Sequence, residues 1–488
     1  MPQARLKDPL PLRMSETGSQ NAMVPELHAD ILINVFDWYR LGSTTEDPDR
    51  NWNTERWWYT PIKVCRTWRR IIFAFPTRLD LHLVCTYGTP VEAMLSHWPP
   101  FPLIIYYSGH RPGGMAEDDR RGATFALEQR ERVRRIHLAA PAASLQDLVK
   151  VMNDEYPMLQ RLVIRSQTEG HADAAVTLHD NLRAPLMNSL TLSNIAVPTS
   201  SRLLGTAEGL VDIGWHNFPA SPGFHPEHLV AQLSALTRLE FLAIHLRGAL
   251  PNREVQQQLR GAPITRIALP SLRLLAFRGC SAYLEGILER LTAPDLRSLN
   301  VEFHNQLTFS LPAMLRFARA THRLKFRAAE MFFDEDFVSL ILDPEHHGGG
   351  GGGMQPLFVQ INCKSLDWQA TCMSQLCRSF APLLRTTESL TLGFHKDVAA
   401  AGWLADLDHA QWHAFLGTFG GVRTLQLSGR PVGDLYCSLQ LDDGGGALFP
   451  ALQELVLRGW GHKDHAFSSW LAARSAAGRP VRFVRNRE

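Results

Sequence analysis

The sequence has few cysteines and no pattern that would pair them or gather them around a metal. Its seven cysteines are odd in number, scattered, and include no Cys-x-x-Cys pair. Disulfide frameworks use an even set of cysteines, and structural zinc sites use closely spaced ones. Neither class is therefore expected to be the basis of this fold. We interpret the cysteines as reduced core residues, and we expect no metal site.

Long runs of one residue class are also missing. The 50 basic residues nearly balance the 48 acidic ones, which leaves a formal charge of +2, and the basic residues form no block longer than a pair. We therefore do not expect nucleic acid or an anionic membrane as the main partner. Residues 1–20 hold no apolar leader, no apolar run could span a bilayer, and no Asn-x-Ser/Thr sequon occurs. These absences favour the cytoplasm or the nucleus.

The usual sequence signatures of catalysis are absent. The chain contains no HExxH, Gly-x-Ser-x-Gly, Walker or DxDxDG motif. Residues 348–353 are all glycine, but a phosphate-binding loop needs its glycines between a strand and a helix. We interpret residues 346–354 as a flexible glycine-rich loop, because no helix clearly follows. We therefore expect neither enzymatic activity nor a cofactor. An enzyme would need a deep pocket with converging titratable groups.

A spaced octet, Pro-x-Leu/Met-x-x-Leu-x-apolar, occurs five times. The copies begin at Pro157, Pro185, Pro270, Pro294 and Pro450. Looser copies are centred on Ile136, Val211, Leu242, Leu324, Leu357, Leu390 and Leu425. From the first octet onward, successive centres lie 21 to 35 residues apart, and recurrence on this scale is typical of a solenoid of stacked units.

Each repeat combines two periodicities. The end of the octet alternates as a strand does, and proline fits just before a strand because it has no amide proton. Between octets the apolar spacing is helical, in the groups Leu145, Leu148, Val149 and Met152; Leu284, Ile287, Leu288 and Leu291; and Trp412, Phe415, Leu416 and Phe419. The sequence therefore predicts an α/β fold of stacked strand-helix units, with parallel strands on a concave side and helices on a convex one.

The octets resemble leucine-rich repeats. Leu272-x-x-Leu275-x-Phe277-x-x-Cys280 follows the family's Leu-x-x-Leu-x-Leu-x-x-Cys form. Degenerate copies extend over roughly residues 98 to 480. The resemblance implies a leucine-rich-repeat solenoid over residues 81–485, with the glycine-rich loop inserted in it.

Two short amphipathic helices are predicted before the repeats. Pro25 suits a first helical turn, and one apolar stripe is predicted from Leu27, Ile31, Leu32, Val35 and Phe36. A second helix is predicted to be capped by Thr60-Pro61, with an apolar face of Ile62, Val64, Cys65, Trp68, Ile71, Ile72 and Phe75. Two helices of this length have more apolar surface than they can bury together, which is the condition for docking on a partner.

These residues resemble an F-box. Pro25-Glu26-Leu27 and Val64-Cys65-Arg66-x-Trp68 look like the family's Leu-Pro-x-Glu-Leu/Ile and Val-Cys-Arg-x-Trp, with Val24 in place of the leucine. The resemblance implies that residues 23–80 bind a Skp-type adaptor, which joins the chain to a cullin. The residues implied in adaptor binding are Pro25, Leu27, Ile31, Leu32, Val35, Phe36, Val64, Cys65, Trp68 and Ile71. Trp68 is alternatively a core residue of the helix pair.

The segment 41–59 is longer and more polar than the resemblance implies. Its acidic and proline residues favour solvent, so we expect it to loop out and leave adaptor contact intact. The segment also contains Trp52, Trp57 and Trp58. These tryptophans either pack back on the module, which we favour, or contact a partner.

The outward positions of the predicted strands form the candidate surface for a target. They are mixed in charge, which favours a protein ligand over a polyanion. The selected residues are Arg161, Arg165, Thr191, Arg278, Asn300, Glu302 and Arg458. The same positions are alternatively an ordinary solvated face.

Together these features predict a protein-protein interaction subunit. Residues 1–22 are expected to be disordered, residues 23–80 to bind the adaptor, and the repeats to hold a target protein. The function implied is that of a substrate receptor in a Skp-cullin-F-box ubiquitin ligase, which acts by proximity. The alternative is a leucine-rich-repeat scaffold or recognition protein that acts outside a ligase.

Overall fold

The computed structural model describes most of the 488 residues. The described residues are 28–43, 52–108, 114–167, 176–218, 225–246, 265–304, 306, 309–321, 326–343, 356–364, 366–394, 412–413, 416–428, 448–458 and 465–486. The predictions for residues 1–22, Pro25, Leu27, Leu324 and the loop 346–354 lie outside them. The chain divides into two compact units, Met1–His82 and Leu83–Glu488, close to the predicted boundary after residue 80.

The first unit contains α1 (Ala29–Ser43), two 3-10 segments (Trp52–Tyr59 and Pro61–Lys63) and α2 (Arg66–Ala74). The second predicted helix is therefore shorter than expected. Thr60 makes no side-chain capping bond. The backbone is extended at Cys65 instead, and the Cys65 Sγ accepts a hydrogen bond from the Trp68 amide at 3.4 Å, so Cys65 caps α2. Cys65 is also exposed, so the expectation that the cysteines are core residues is wrong for it.

The second unit is α/β, with a large and mostly parallel 16-stranded sheet. The strands are β1 (Leu83–Thr86), β2 (Leu103–Ser108), β3 (Val133–Ala140), β4 (Arg161–Ser166), β5 (Val176–Thr177), β6 (Ser189–Ser193), β7 (Ile195–Ala196), β8 (Asp212–Phe218), β9 (Phe241–Leu246), β10 (Ile267–Ala268), β11 (Leu274–Gly279), β12 (Leu291–Thr292), β13 (Ser298–His304), β14 (Ala328–Phe333), β15 (Phe337–Asp343), β16 (Leu357–Asn362), β17 (Ser389–Phe394), β18 (Thr424–Ser428), β19 (Glu454–Arg458) and β20 (Arg482–Asn486). Two separate pairs, β5 with β7 and β10 with β12, lie outside the large sheet.

Helices lie between many of the strands. They are α3 (Val91–His97), α4 (Glu117–Glu128), α5 (Ala142–Val151), α6 (Leu203–Thr206), α7 (Pro226–Leu233), α8 (Ser281–Leu288), α9 (Pro312–Ala320), α10 (Leu366–Leu384) and α11 (His465–Ala476). The helical spacing that starts at Leu145 is confirmed by α5 for Leu145, Leu148 and Val149, and Met152 is the residue directly after the helix. The helical spacing that starts at Leu284 predicts a longer helix than the structure has, because α8 ends at Leu288 and Leu291 lies in β12. In the described part of the chain, no helix combines the length and the hydrophobicity that crossing a membrane requires.

The octet leucines form one buried row across the sheet. The aligned positions include Leu162, Leu190, Leu242, Leu275, Leu299, Leu357, Leu390, Leu425 and Leu455. Ile213 occupies this row in β8, so the prediction of Val211 as the centre of that repeat is wrong. Side chains alternate between the two faces of a strand, so the residues on either side of this row point outward.

The strand order follows the chain except at one inversion. β13 pairs with β16, and β15, β14 and β17 follow in that order. The β14–β15 and β15–β16 pairs are antiparallel. Only residues 334–336 join β14 to β15, and a parallel crossover needs a dozen residues or more. The expectation of one strand and one helix in every unit is therefore wrong here.

Candidate protein-docking surfaces

Helix α1 is apolar on two opposite sides. Leu32 and Phe36 are only 3% and 1% exposed, and Ile33 is also buried. Ile31 and Val35 are 50% and 47% exposed, and Trp38 is 76% exposed. Successive helical residues point about 100° apart, since a turn takes about 3.6 residues. The predicted single stripe is therefore wrong: Leu32 and Phe36 face the core, whereas Ile31 and Val35 face away from it.

We call the exposed side of α1, formed by Ile31, Val35 and Trp38, the apolar ridge. Its residues follow the i, i+4, i+7 spacing of one helical face. Val64, ahead of α2, is another largely exposed apolar residue of the first unit. Sequence reasoning missed Trp38, although its position seven residues after Ile31 was the available signal.

The other side of α1 packs on α2. The rings of Phe36 and Trp68 lie edge to face, with their centroids 5.1 Å apart, and Ile71 is buried. Trp68 itself is half-buried, so it belongs partly to the core of this unit. Of the residues predicted to bind an adaptor, the structure places Leu32, Phe36 and Ile71 inside. It leaves Ile31, Val35, Val64 and Cys65 at the surface.

The described part of the segment between α1 and α2, from residue 52 onward, packs back on the unit. Trp57 and Trp58 are buried in the 3-10 segment, and the Trp58 Nε1–H donates a hydrogen bond to the His82 carbonyl oxygen at 3.2 Å. The Trp58 ring centroid lies 4.4 Å from that of Tyr59 and 6.0 Å from that of Phe73. The prediction that the whole segment loops out is therefore wrong for residues 52–59. Of the two alternatives for the tryptophans, packing on the unit is the one that Trp57 and Trp58 show, since both are buried.

In the second unit, the residues predicted to contact a target lie on the outward face of the sheet. Arg165 is exposed, and the other six are half-buried. Strand register aligns these positions in three rows. The row nearest the C-terminal ends of the strands, from β4 to β13, contains Arg165, Ser193, His216, His245, Arg278 and Glu302. The register of β8 on β9 shifts after Trp215, and the contact between the His216 and His245 rings continues the row there. We call this row the polar strip.

The polar strip is held by side-chain contacts between neighbouring strands. The Nδ1 atoms of His216 and His245 lie 2.9 Å apart, so one ring donates a hydrogen bond to the other. The Arg278 Nε–H donates to His304 Nε2 at 2.8 Å and lies 3.2 Å from the Glu302 carboxylate. Sequence reasoning missed the histidines. The looser repeat at Leu242 gives His245 from the same register that gives Arg278, but the repeat predicted at Val211 gives Gly214 in place of His216, because its true centre is Ile213.

The imidazoles of this strip, and that of the neighbouring His304, favour their neutral form. Burial lowers the pKa of His216, and the nearby Arg165 lowers it further. Burial, His216 and Arg278 together lower the pKa of His245 to about 4. Burial and Arg278 also lower the pKa of His304. At neutral pH the strip therefore combines guanidinium groups with uncharged hydrogen-bonding rings.

The depressed pKa of His245 predicts lower stability in acid. The ordinary pKa of a histidine is about 6.5, so His245 binds a proton in the unfolded chain below about pH 6.5. In the folded chain it stays neutral down to about pH 4. We expect the free energy of unfolding to fall by about 1 kcal/mol from this group between pH 7 and pH 5, after allowance for partial exposure. In His245→Asn, the free energy of unfolding measured in urea should fall between pH 7 and pH 5 by about 1 kcal/mol less than in the wild type. His97→Asn, at an exposed histidine, is the control, and equal pH dependence of wild type and His245→Asn would contradict the prediction.

An open depression of about 670 Å³ lies beside the polar strip, nearer the beginnings of the strands. Its lining includes Ser189, Asp212, Phe241, Ala243 and Leu274. Within the described residues, no group of three or more His, Cys, Asp or Glu side chains could hold a metal ion.

No known protein family matches this chain, and no curated protein matches it.

Proposed function

We propose that this chain is the substrate-receptor subunit of a Skp-cullin-F-box ubiquitin ligase. The observation that carries the proposal is the apolar ridge on α1, whose opposite side is already buried. Water-exposed apolar surface costs free energy that a partner recovers on binding. A helix with an apolar face of this spacing is a recurrent form of protein recognition. The ridge falls in the segment that resembles an F-box, and this selects a Skp-type adaptor as the partner.

Trp38 is the proposed anchor of adaptor binding. Tryptophan is enriched among the residues that dominate binding energies, because it buries a large area with few rotatable bonds. Ile31, Val35 and Val64 supply the surrounding apolar contacts. Leu32, Phe36 and Ile71 act indirectly, by holding α1 against α2.

The second unit is, in this proposal, a leucine-rich-repeat solenoid with its parallel strands on the concave side and its helices on the convex one. The buried row of octet leucines and the helices between many strands support this architecture. Its outward rows, including Arg161, Arg165, Thr191, Arg278, Asn300, Glu302 and Arg458, would hold a target protein. The chain makes and breaks no bond. It raises the concentration of a target near an enzyme that carries ubiquitin, through the adaptor and a cullin, in the cytoplasm or the nucleus.

The direct test is binding of the full chain to a purified Skp-type adaptor by isothermal titration calorimetry. We expect Trp38→Ala to weaken adaptor binding about 30-fold, which corresponds to about 2 kcal/mol for loss of an interface anchor. The side chain is exposed, so the variant should fold normally.

Trp368→Ala is the matched control, because Trp368 is also an exposed tryptophan, at 52%, but lies on α10 of the second unit. It should bind the adaptor as the wild type does. A wild-type chain that binds no adaptor would contradict the proposal and leave a scaffold or recognition role outside the ligase. Equal effects of the two tryptophan variants would contradict the assignment of the ridge.

A further inference from the structure

Two free thiols meet where the start of α10 contacts the end of β16. Cys363 directly follows β16, and Cys372 lies in the second turn of α10. The two residues are 3% and 0% exposed, and a hydrogen bond joins their side chains. Because eight residues separate them in the sequence, it is the turn into α10 that brings the two sulfurs together.

The surrounding chain holds both cysteines in place. Gln369 lies one turn before Cys372, on the same side of α10. Its side-chain amide donates hydrogen bonds to the Cys363 carbonyl oxygen at 2.9 Å and to the Asp334 carbonyl oxygen at 2.8 Å. The Cys372 thiol donates to the Gln306 carbonyl oxygen at 3.3 Å. The pair is therefore fixed between α10, the end of β16 and the turn that joins β14 to β15.

The two thiols differ in reactivity. The hydrogen bond from Cys363 lowers the pKa of the Cys372 thiol, although burial acts in the opposite direction. The same hydrogen bond raises the pKa of the Cys363 thiol. Burial raises the pKa of the Cys280 and Cys377 thiols. Since the thiolate is the form that attacks an oxidant, Cys372 is suited to react first and Cys363 second.

The pair lies close beneath the surface. Lys364, the residue after Cys363, has a side chain that is 89% exposed. Thr371, the residue before Cys372, is also exposed. A brief local opening at the start of α10 therefore admits a molecule as small as hydrogen peroxide.

We propose that Cys363 and Cys372 form a reversible disulfide when the chain meets hydrogen peroxide. The Cys372 thiolate attacks one peroxide oxygen, the O–O bond breaks, and the products are a sulfenic acid and a hydroxide that takes up a proton to become water. Cys363 then loses its proton and attacks the Cys372 sulfur, so that the S–S bond forms and the sulfenic oxygen leaves as a second water. Two thiols are oxidised to one disulfide, and the peroxide is reduced to two waters. A dithiol reverses the oxidation by thiol–disulfide exchange.

The disulfide has a local consequence for α10. It closes a short loop between β16 and the helix, so local openings of the start of α10 become rarer. It also removes the thiol hydrogen that the Gln306 carbonyl oxygen accepts. The proposal goes beyond the ligase assignment and does not depend on it, because both effects lie in the second unit.

The test is peptide mapping of the full-length Cys65→Ser chain after treatment with hydrogen peroxide and blocking of the remaining thiols. Cys65 is exposed, and replacing it removes a thiol that could link two chains. Trypsin cleaves after Lys364 and so separates Cys363 from Cys372. We expect peptides 328–364 and 365–378 to be joined, with fragment ions that place the link at Cys372 rather than Cys377. Dithiothreitol should release both peptides.

Hydrogen exchange measures the consequence for the helix. In the oxidised chain, the amides of residues 368–372 should exchange at least about tenfold more slowly than in the reduced chain. Cys372→Ser, in the same Cys65→Ser background, should show neither the link nor the slower exchange. Cys377→Ser is the matched control, because it changes a buried cysteine of the same helix and should form the link as its parent does.

A peroxide-induced link between any other two cysteines would overturn the proposal. So would oxidation of Cys372 to the sulfinic acid without a link to Cys363. The same holds if Cys363 and Cys372 stay reduced at a peroxide concentration that oxidises the exposed Cys65 of the wild-type chain. A link that forms without slowing exchange in α10 would contradict the stiffening of the helix. None of these measurements involves the adaptor, so their failure leaves the ligase proposal untouched.

Discussion

Replacing Trp58 with alanine should destabilise the first unit by about 3 to 5 kcal/mol, the usual loss when a buried tryptophan is truncated. The side chain is fully buried, its ring contacts Tyr59 and Phe73, and its Nε1–H satisfies the His82 carbonyl oxygen. A unit this small has few other residues to replace these contacts, and whole domains are stable by only about 5 to 15 kcal/mol. The variant should therefore populate an unfolded first unit.

The measurement is amide hydrogen exchange of the full chain, followed by peptide across residues 52–82. Exchange should become much faster in Trp58→Ala and remain slow in the strands of the second unit. Trp38→Ala is the internal control, because it removes the same side chain from the surface and should change stability by less than about 0.5 kcal/mol. If the proposed function holds, both variants bind the adaptor more weakly than the wild type. Only Trp58→Ala should also lose protection from amide hydrogen exchange across residues 52–82. Unchanged exchange in Trp58→Ala would show that this tryptophan does not hold the unit together.

Substituting Gly421 with alanine should destabilise the second unit, whereas the same change at Gly420 should be nearly neutral. A Cβ at Gly421 would run into the carbonyl oxygen of Arg385, with the Thr387 carbonyl oxygen 3.2 Å away. These are backbone atoms of the turn before β17, so they cannot rotate aside as a side chain would. Overpacking of this kind costs about 1 to 3 kcal/mol. At Gly420 a Cβ would meet nothing within 4 Å.

Equilibrium urea unfolding of the two variants tests this contrast. Gly421→Ala should lower the transition midpoint clearly, and Gly420→Ala should leave it close to that of the wild type. Adaptor binding should be the same in both, since neither position belongs to the first unit. If the two alanine variants unfold alike, the close stacking of the turns before β17 and β18 is not a source of stability.

Much of the sheet could be predicted from the sequence because its determinants are local and repeated. The octet fixes where each strand starts, and the alternation after it decides which side chains are buried. The pattern predicts Leu275, Leu299 and Leu455 in one buried row and Arg278 and Glu302 on the opposite face, as the structure has them. It misplaced the β8 repeat by two residues, because Val211 and Ile213 are both apolar and differ by one strand period.

The inversion at β14 and β15 could not be predicted in the same way. A repeat pattern carries no information about strand direction, and residues 334–336 carry no glycine, proline or asparagine that would indicate the turn joining the antiparallel β14 and β15. The two-sided character of α1 was missed for a different reason. Leu32, Val35 and Phe36 have the i, i+3, i+4 spacing of one helical face, so the pattern predicts a single stripe. The packing of α1, which buries Leu32 and Phe36 and leaves Val35 exposed, is not encoded in that spacing. The contact between His216 and His245 could not be predicted either, because both occupy ordinary outward positions of their strands and nothing in their spacing distinguishes them from other outward residues.

The hairpin of β14 and β15 gives the sheet an unusually local starting point for folding. Pairing across residues 334–336 closes a very short loop, whereas neighbouring repeat centres elsewhere are 21 to 35 residues apart in sequence. Closing longer loops costs more chain entropy and slows the formation of a contact. A nucleus at this hairpin offers two edges: β15 pairs with β16, to which β13 and the earlier repeats add, and β14 pairs with β17, to which the later repeats add. The ladder can therefore grow in both directions from an interior seed, without waiting for either terminus of the chain.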